Sequence, residues 1–173
     1  MYTVLEEKRN EKNLNSIGFY IAINENGNLL MFPSGKGRDI QVYIENNINN
    51  MTLNEFSSYS LKLMDMSLMK ENIDFEEETI DKFHDFEKSE YKEDKCKSMK
   101  LIKIELHKTY PNKLIIVDMV NVSKYEWGGG RYMHFLPITS SNEEVFDYIK
   151  KVYSYKGHMP GATQEEKKEY RVM

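Results

Sequence analysis

The sequence contains a single cysteine, Cys96, and one thiol supports neither an intramolecular disulfide framework nor a metal centre built from several cysteines. That scarcity suits a reducing compartment, and a cytoplasmic location is expected. There is no apolar run close to the roughly 18 residues that spanning a bilayer requires, and the opening MYTVLEEKRNEKN lacks the apolar stretch of a secretory signal. No membrane association is expected. Clustered Lys and Arg are also missing, and affinity for nucleic acid comes largely from such clusters neutralising phosphates. Direct nucleic-acid binding is therefore not expected either.

What the chain has is enough apolar and aromatic material to fold. Its 173 residues are 40% hydrophobic and include twelve Tyr and eight Phe, which a disordered chain would lack. That length fits one core better than two. The net charge of −4 is unevenly spread: residues 71–98 hold eleven acids against five bases, a local −6 that leaves +2 for the rest.

The pattern predicts an α+β domain over 1–173 with a mainly antiparallel sheet of about five strands packed against helices, in the order ββ-ααα-βββ-αα. After an N-terminal segment, 1–15, the aromatic and β-branched runs flanking Asn26-Gly27 read as a hairpin over 16–32. A helical middle follows over 39–94. In it, Asp39 caps a short helix reaching Asn49, and Thr52 with Glu55 forms a capping box for a helix to Met69. Asp74 with Glu77 does the same for an acidic helix ending near Glu93, apolar only along Ile80, Phe83 and Phe86. The methionine-rich stretch Met51–Met69 is apolar almost all round, which means burial in the core or beneath a partner.

Strands return over 98–138. MKLIKIELH alternates, and KLIIVDMVNV is apolar on both faces, as a central covered strand would be. A four-residue loop, Thr109–Asn112, would pair Lys108 with Lys113, set His107 opposite Leu114 and give Asp118, odd in such company, Lys103 as its cross-strand partner. Ser141 with Glu144 and Thr163 with Glu166 start the C-terminal helices over 141–173.

Chemistry is harder to find. KYEWGGGRYMHF, residues 124–135, places the only Trp beside Gly128, Gly129, Gly130, Arg131 and Tyr132. Backbone amides of such a run can approach a phosphate, yet a strand follows it, so the helix terminus of phosphate loops is missing and no nucleotide fingerprint is matched. Lys36 in Gly35-Lys36-Gly37-Arg38 fails the Walker pattern too. Of the histidines 84, 107, 134 and 158, none stands in a zinc-binding spacing, and neither metal nor cofactor is expected. His107-Lys108-Thr109 resembles half of the paired HxT signature of two-histidine phosphoesterases, where one His acts as base and the other as acid. The second half is absent, because Phe135 and Leu136 follow His134. Cys96 between Lys95 and Lys97 has no identifiable base.

The expected function is therefore noncatalytic: an intracellular protein that binds and inhibits or regulates a macromolecular partner, of the immunity, mobile-element-inhibitor or regulator type. Trp127, Gly128, Gly129, Gly130, Arg131 and Tyr132 would form the anchoring loop. Glu76, Glu77 and Asp81 would meet a partner protein with a basic surface. The alternative is a nucleotide-binding or phosphoester-acting protein using Arg131, His107 and His134.

Overall fold

The computed structural model describes residues 1–35, 44–69, 77–92, 95–96 and 99–172. In chain order the elements are α1 (Tyr2–Glu11), β1 (Ser16–Ile23), β2 (Asn28–Pro33), β3 (Ile44–Asn47), α2 (Leu53–Leu68), α3 (Glu77–Lys88), β4 (Tyr91–Lys92) and β5 (Lys95–Cys96). They continue with β6 (Lys100–His107), β7 (Lys113–Asp118), β8 (Val120–Ser123), β9 (Glu126–Gly128), β10 (Met133–Pro137), α4 (Asn142–Ser154) and α5 (Gln164–Tyr170). Six strands form one antiparallel sheet in the order β10-β7-β6-β1-β2-β3, while β4-β5 and β8-β9 are separate hairpins. The α+β class and the antiparallel sheet are as expected.

The sheet's two faces differ. Odd residues of β1 and even residues of β6 and β7 make the first face, where Ile17, Phe19, Ile21, Ile102, Ile104, Leu114 and Ile116 are buried under α1, α2 and α4. The methionine-rich helix is mainly core: Phe56, Leu63, Met64 and Leu68 of α2 are buried there, with Phe56 stacked on Phe146 of α4 at 4.6 Å. The expected capping boxes at Thr52/Glu55 and Ser141/Glu144 hold both helix starts. On the second face two smaller clusters stand apart. Phe83 of α3 covers Ala22, Leu30, Phe32 and Leu101, and Tyr170 of α5 packs over Tyr110, Ile115, Val117 and Phe135.

Three expectations need correction. The stretch Ile44–Asn47, placed in a helix, is the sheet's sixth strand on the edge of β2. Its asparagine side chains bond nearby backbone, Asn46 Oδ1 accepting from the N–H of Asn47 and Asn47 Oδ1 from that of Asn49, which competes with helix formation. The proposed cap Asp39, like Asp74, lies outside the described residues. Secondly, residues 2–11 form a helix whose buried face, Tyr2, Leu5 and Arg9, includes a charged residue. Arg9 is satisfied there by Glu6 and by the Leu14 carbonyl, so its charge hid the periodicity.

The third correction is one of register. The β6–β7 connection has five residues, closed by Asn112 in the left-handed region at φ +63. Lys103 therefore faces Val117, and Ile102 faces Asp118. A shift of one residue turns every β7 side chain over. Leu114 and Ile116 join the first face, Ile115 and Val117 the second, and Asp118 needs partners other than Lys103.

Candidate polar site at the end of strand β7

Asp118 is fully buried where β7 leaves the sheet. Its backbone N–H donates to Tyr132 O at 3.1 Å, and the next residue, Met119, bonds Leu101 O at 2.9 Å, so both neighbouring strands fix the position. Two nitrogens approach its Oδ2: Lys100 Nζ at 3.3 Å and His158 Nδ1 at 2.8 Å. Oδ1 has no hydrogen-bond partner among the described residues. Lys100 also donates to Val152 O at 2.6 Å and Gly157 O at 2.7 Å. Its ammonium thus sits among the last carbonyls of α4, where a cation complements the helix dipole. Lys100 is the structural bolt of the cluster: it neutralises a buried carboxylate and ties α4 and the following loop to the sheet.

His158 is more open, its side chain 30% exposed. Its Nδ1 lies 2.8 Å from the Asp118 carboxylate oxygen. The contact does not meet hydrogen-bond geometry. The other ring face stacks on Tyr132 at 4.4 Å with the planes 9° apart. Arg131, exposed, holds its guanidinium 5.5 Å from the Tyr132 ring centroid. Arg131, Tyr132 and His158 thus form a solvent-facing cation–aromatic group on a buried ionic base.

The glycine segment is less free than its sequence suggests. Lys124 and Tyr125 turn the β8–β9 hairpin, with Tyr125 at φ +67 and its N–H bonded to Tyr91 Oη at 2.5 Å. Trp127 lies half-buried in β9, packed against the α3-covered cluster, and its Nε1–H donates to Glu87 Oε2 at 2.8 Å. It is a tether between hairpin and α3, not a freely presented side chain. Burial pushes the Glu87 carboxyl above its ordinary range, against the Trp127 hydrogen bond and the nearby His84. Gly130 adopts φ +91, favourable only to glycine, and its carbonyl accepts from Lys167 Nζ at 2.8 Å. Gly161 presses on the same segment: a Cβ there would meet Tyr132 Cα at 2.9 Å and Arg131 O at 3.0 Å. Only glycine lets the C-terminal loop lie this close.

His134 and His107 are not brought together. His134, opposite Ile116, points to the first face, where its Nδ1 is 3.0 Å from Tyr148 Oη. Burial lowers its proton affinity although Asp118 works the other way, and Nε2 has no hydrogen-bond partner among the described residues. His107, opposite Ser16, points to the second face and accepts the Thr109 N–H at Nδ1. Burial lowers it as well. Rings on opposite faces cannot act on one phosphodiester.

Of the acidic candidates, Glu76 lies outside the described residues, as do the side chains of Glu77 and Asp81 in α3. Among the described residues no group of three or more His, Cys, Asp or Glu is placed to hold a metal ion, and no helix is long and apolar enough to cross a membrane. Sequence reasoning missed His158 and Lys100. The available signal was Asp118 itself, a carboxylate in an apolar strand that had to be paired. No family model, curated protein or solved structure matches the chain, so the site is read from its geometry alone.

Proposed function

We propose that the chain is a noncatalytic intracellular binding protein that inhibits or regulates a macromolecular partner, engaging it at Arg131 and Tyr132 with His158 beside them. The observation that carries this reading is the Arg131–Tyr132–His158 group. Arg and Tyr dominate interface energetics, and here Tyr132 is held in place by its stack on His158. Side chains already ordered lose less entropy on binding. No hydroxyl or thiol is hydrogen-bonded to His158 among the described residues, which favours binding over nucleophilic chemistry. Of the sequence candidates, Arg131 and Tyr132 remain anchors, Gly128, Gly129 and Gly130 form their backbone support, and Trp127 secures the hairpin behind them.

The acidic stretch 71–98 would meet a basic surface on the same partner, mainly speeding association. Charge reversal at Glu76, Glu77 and Asp81 should weaken capture and flatten its salt dependence. The main test is affinity purification from the native host with wild type and Tyr132→Ala side by side: a protein recovered by the first and lost by the second is the expected result. Equal recovery by both would remove the anchor assignment.

The nucleotide or phosphoester alternative loses its acid–base pair to the opposed faces of His107 and His134. What remains is Arg131 beside the glycine run. Dose-dependent thermal stabilisation by nucleotides, abolished in Arg131→Ala, would replace the present reading.

A further inference from the structure

The outer edge of β10 is closed at both ends and open between them. On its inner side the strand pairs with β7, where Asp118 N–H donates to Tyr132 O and Ile138 N–H to Asn112 O. Hydrogen-bonded and non-hydrogen-bonded pairs alternate along an antiparallel ladder. Tyr132, His134 and Leu136 therefore turn their backbone groups toward β7, while Met133, Phe135 and Pro137 turn theirs away. The outward Met133 carbonyl is met by Ala162 N–H at 2.6 Å, and Pro137 has no N–H to offer. Phe135, between them, keeps an outward N–H and C=O that no described residue engages.

Phe135 lines an open cleft of about 220 Å³ together with His134, Tyr148 of α4, Gly161 and Ala162 of the loop, and Glu166 of α5. The Phe135 ring is turned to the second face, against Tyr110 and Tyr170, so the strand edge carries its backbone contribution to the cleft. Glu166, exposed, is the one acidic or basic side chain of the lining apart from His134, whose proton affinity burial lowers. The charges around the cleft are engaged elsewhere or do not line it. Lys167 donates to Gly130 O at 2.8 Å, Lys151 lies 6.0 Å from the Tyr148 ring centroid, and the Arg131 guanidinium is 5.5 Å from that of Tyr132. Asp118 and Lys100 are paired and act on His134 with opposite signs. Glu165, Lys168 and Glu169 of α5 are exposed outside the lining. A visitor thus meets one carboxylate and one unpaired peptide edge, in a space below the about 300–1,000 Å³ of sites for drug-sized ligands.

We propose that this cleft captures the free amino terminus of a protein chain. The first residue pairs with Phe135 as a residue of an added antiparallel strand does: its ammonium donates to the Phe135 carbonyl, and its own carbonyl accepts the Phe135 N–H. Another ammonium proton goes to Glu166 in a charge-assisted bond. A carboxyl terminus would set its charge against Glu166. An internal segment brings no charge for Glu166, and to pair along β10 it would have to displace Ala162 from Met133. The cleft adjoins Arg131 and Tyr132 without using either side chain, so this site stands or falls apart from the anchor assigned above.

The test uses the full chain and a set of pentapeptides labelled at the C-terminus, with each of the twenty amino acids in first position, each peptide beside its N-acetylated twin. Fluorescence polarisation should show saturable binding of free-amine peptides and affinity about tenfold or more lower for their acetylated twins. Acetylation probes the charge on the unaltered protein. Glu166→Gln, with an unchanged urea melt, should weaken the free peptides to a similar degree, and Arg131→Ala should leave them unchanged. Hydrogen exchange at the Phe135 amide should slow when peptide is bound. No binding by any free-amine peptide, equal binding of the acetylated twins, indifference to Glu166→Gln, or an unaltered Phe135 amide would each overturn the proposal. Free amino acids binding as tightly as the pentapeptides would overturn it too, in favour of a small metabolite.

Discussion

The two faces of the sheet are held by different means. The first face is one continuous apolar layer joined by three helices, and Phe56, Leu63, Met64, Val145 and Ile149 meet it with almost no exposed surface. The second is a pair of smaller clusters joined to their coverings by polar links: Trp127 to Glu87 at one end, and Lys167 to Gly130 beside Tyr170 at the other. Burial scales with apolar area and tolerates few gaps, so the first face supplies most of the stability. A hydrogen-bonded link contributes about 1 kcal/mol, so the second face can vary without unfolding the molecule. At the candidate site Asp118, opposite Ile102, belongs to the first face.

Substitutions should rank accordingly. Phe146→Ala removes the stack on Phe56 and should cost about 3–5 kcal/mol in a urea melt. A loss under about 1 kcal/mol would mean the first face is not the main support. Next, Lys100→Met should cost about 3 kcal/mol by leaving Asp118 buried with only His158 beside it. The double variant Lys100→Met/Asp118→Leu should recover much of that loss, which separates the unpaired charge from lost packing. Trp127→Phe should cost about 1–2 kcal/mol through the unsatisfied Glu87 carboxylate. In hydrogen exchange its effect should be confined to β8, β9 and α3, leaving β1 and β6 protected.

The smallest effects are in pH, and the two faces should pull in opposite directions. His134 on the first face has its folded pKa lowered by burial. The unfolded chain therefore binds its proton first as pH falls, and the stability present above the ordinary histidine value is lost as pH falls through the lowered one. His134→Gln should reduce that acid slope. Glu87 on the second face is raised by burial. Its contribution is full below the ordinary carboxylate value and is lost as pH rises through the raised one, so Glu87→Gln should gain on wild type at neutral pH and match it in acid. Urea midpoints across pH for both variants check the signs.

Much of this fold was legible in the sequence, because local chemistry decided it. Asn26-Gly27 made its hairpin, and Thr52, Ser141 and Thr163 each accept a helix N–H as capping residues do. What failed depended on distant partners. Arg9 looks polar until its side chain meets the Leu14 carbonyl, and Ile44–Asn47 looks helical until β2 offers an edge. The site suffered most from the β6–β7 loop, where a single residue changed the partner of Asp118. Arg131 and Tyr132 stand in the stretch that the sequence singled out, whereas His158 joins them, 26 positions beyond Tyr132, through a loop that only Gly161 lets so close. No local pattern carries such a contact.

The most direct measurement of the central claim is capture from the native host by tagged wild type and Arg131→Ala/Tyr132→Ala, after urea melts show the two equally stable. A protein retained by wild type and lost by the double variant is the expected result. Retention of the same protein by both, at equal yield and equal resistance to salt, would contradict it.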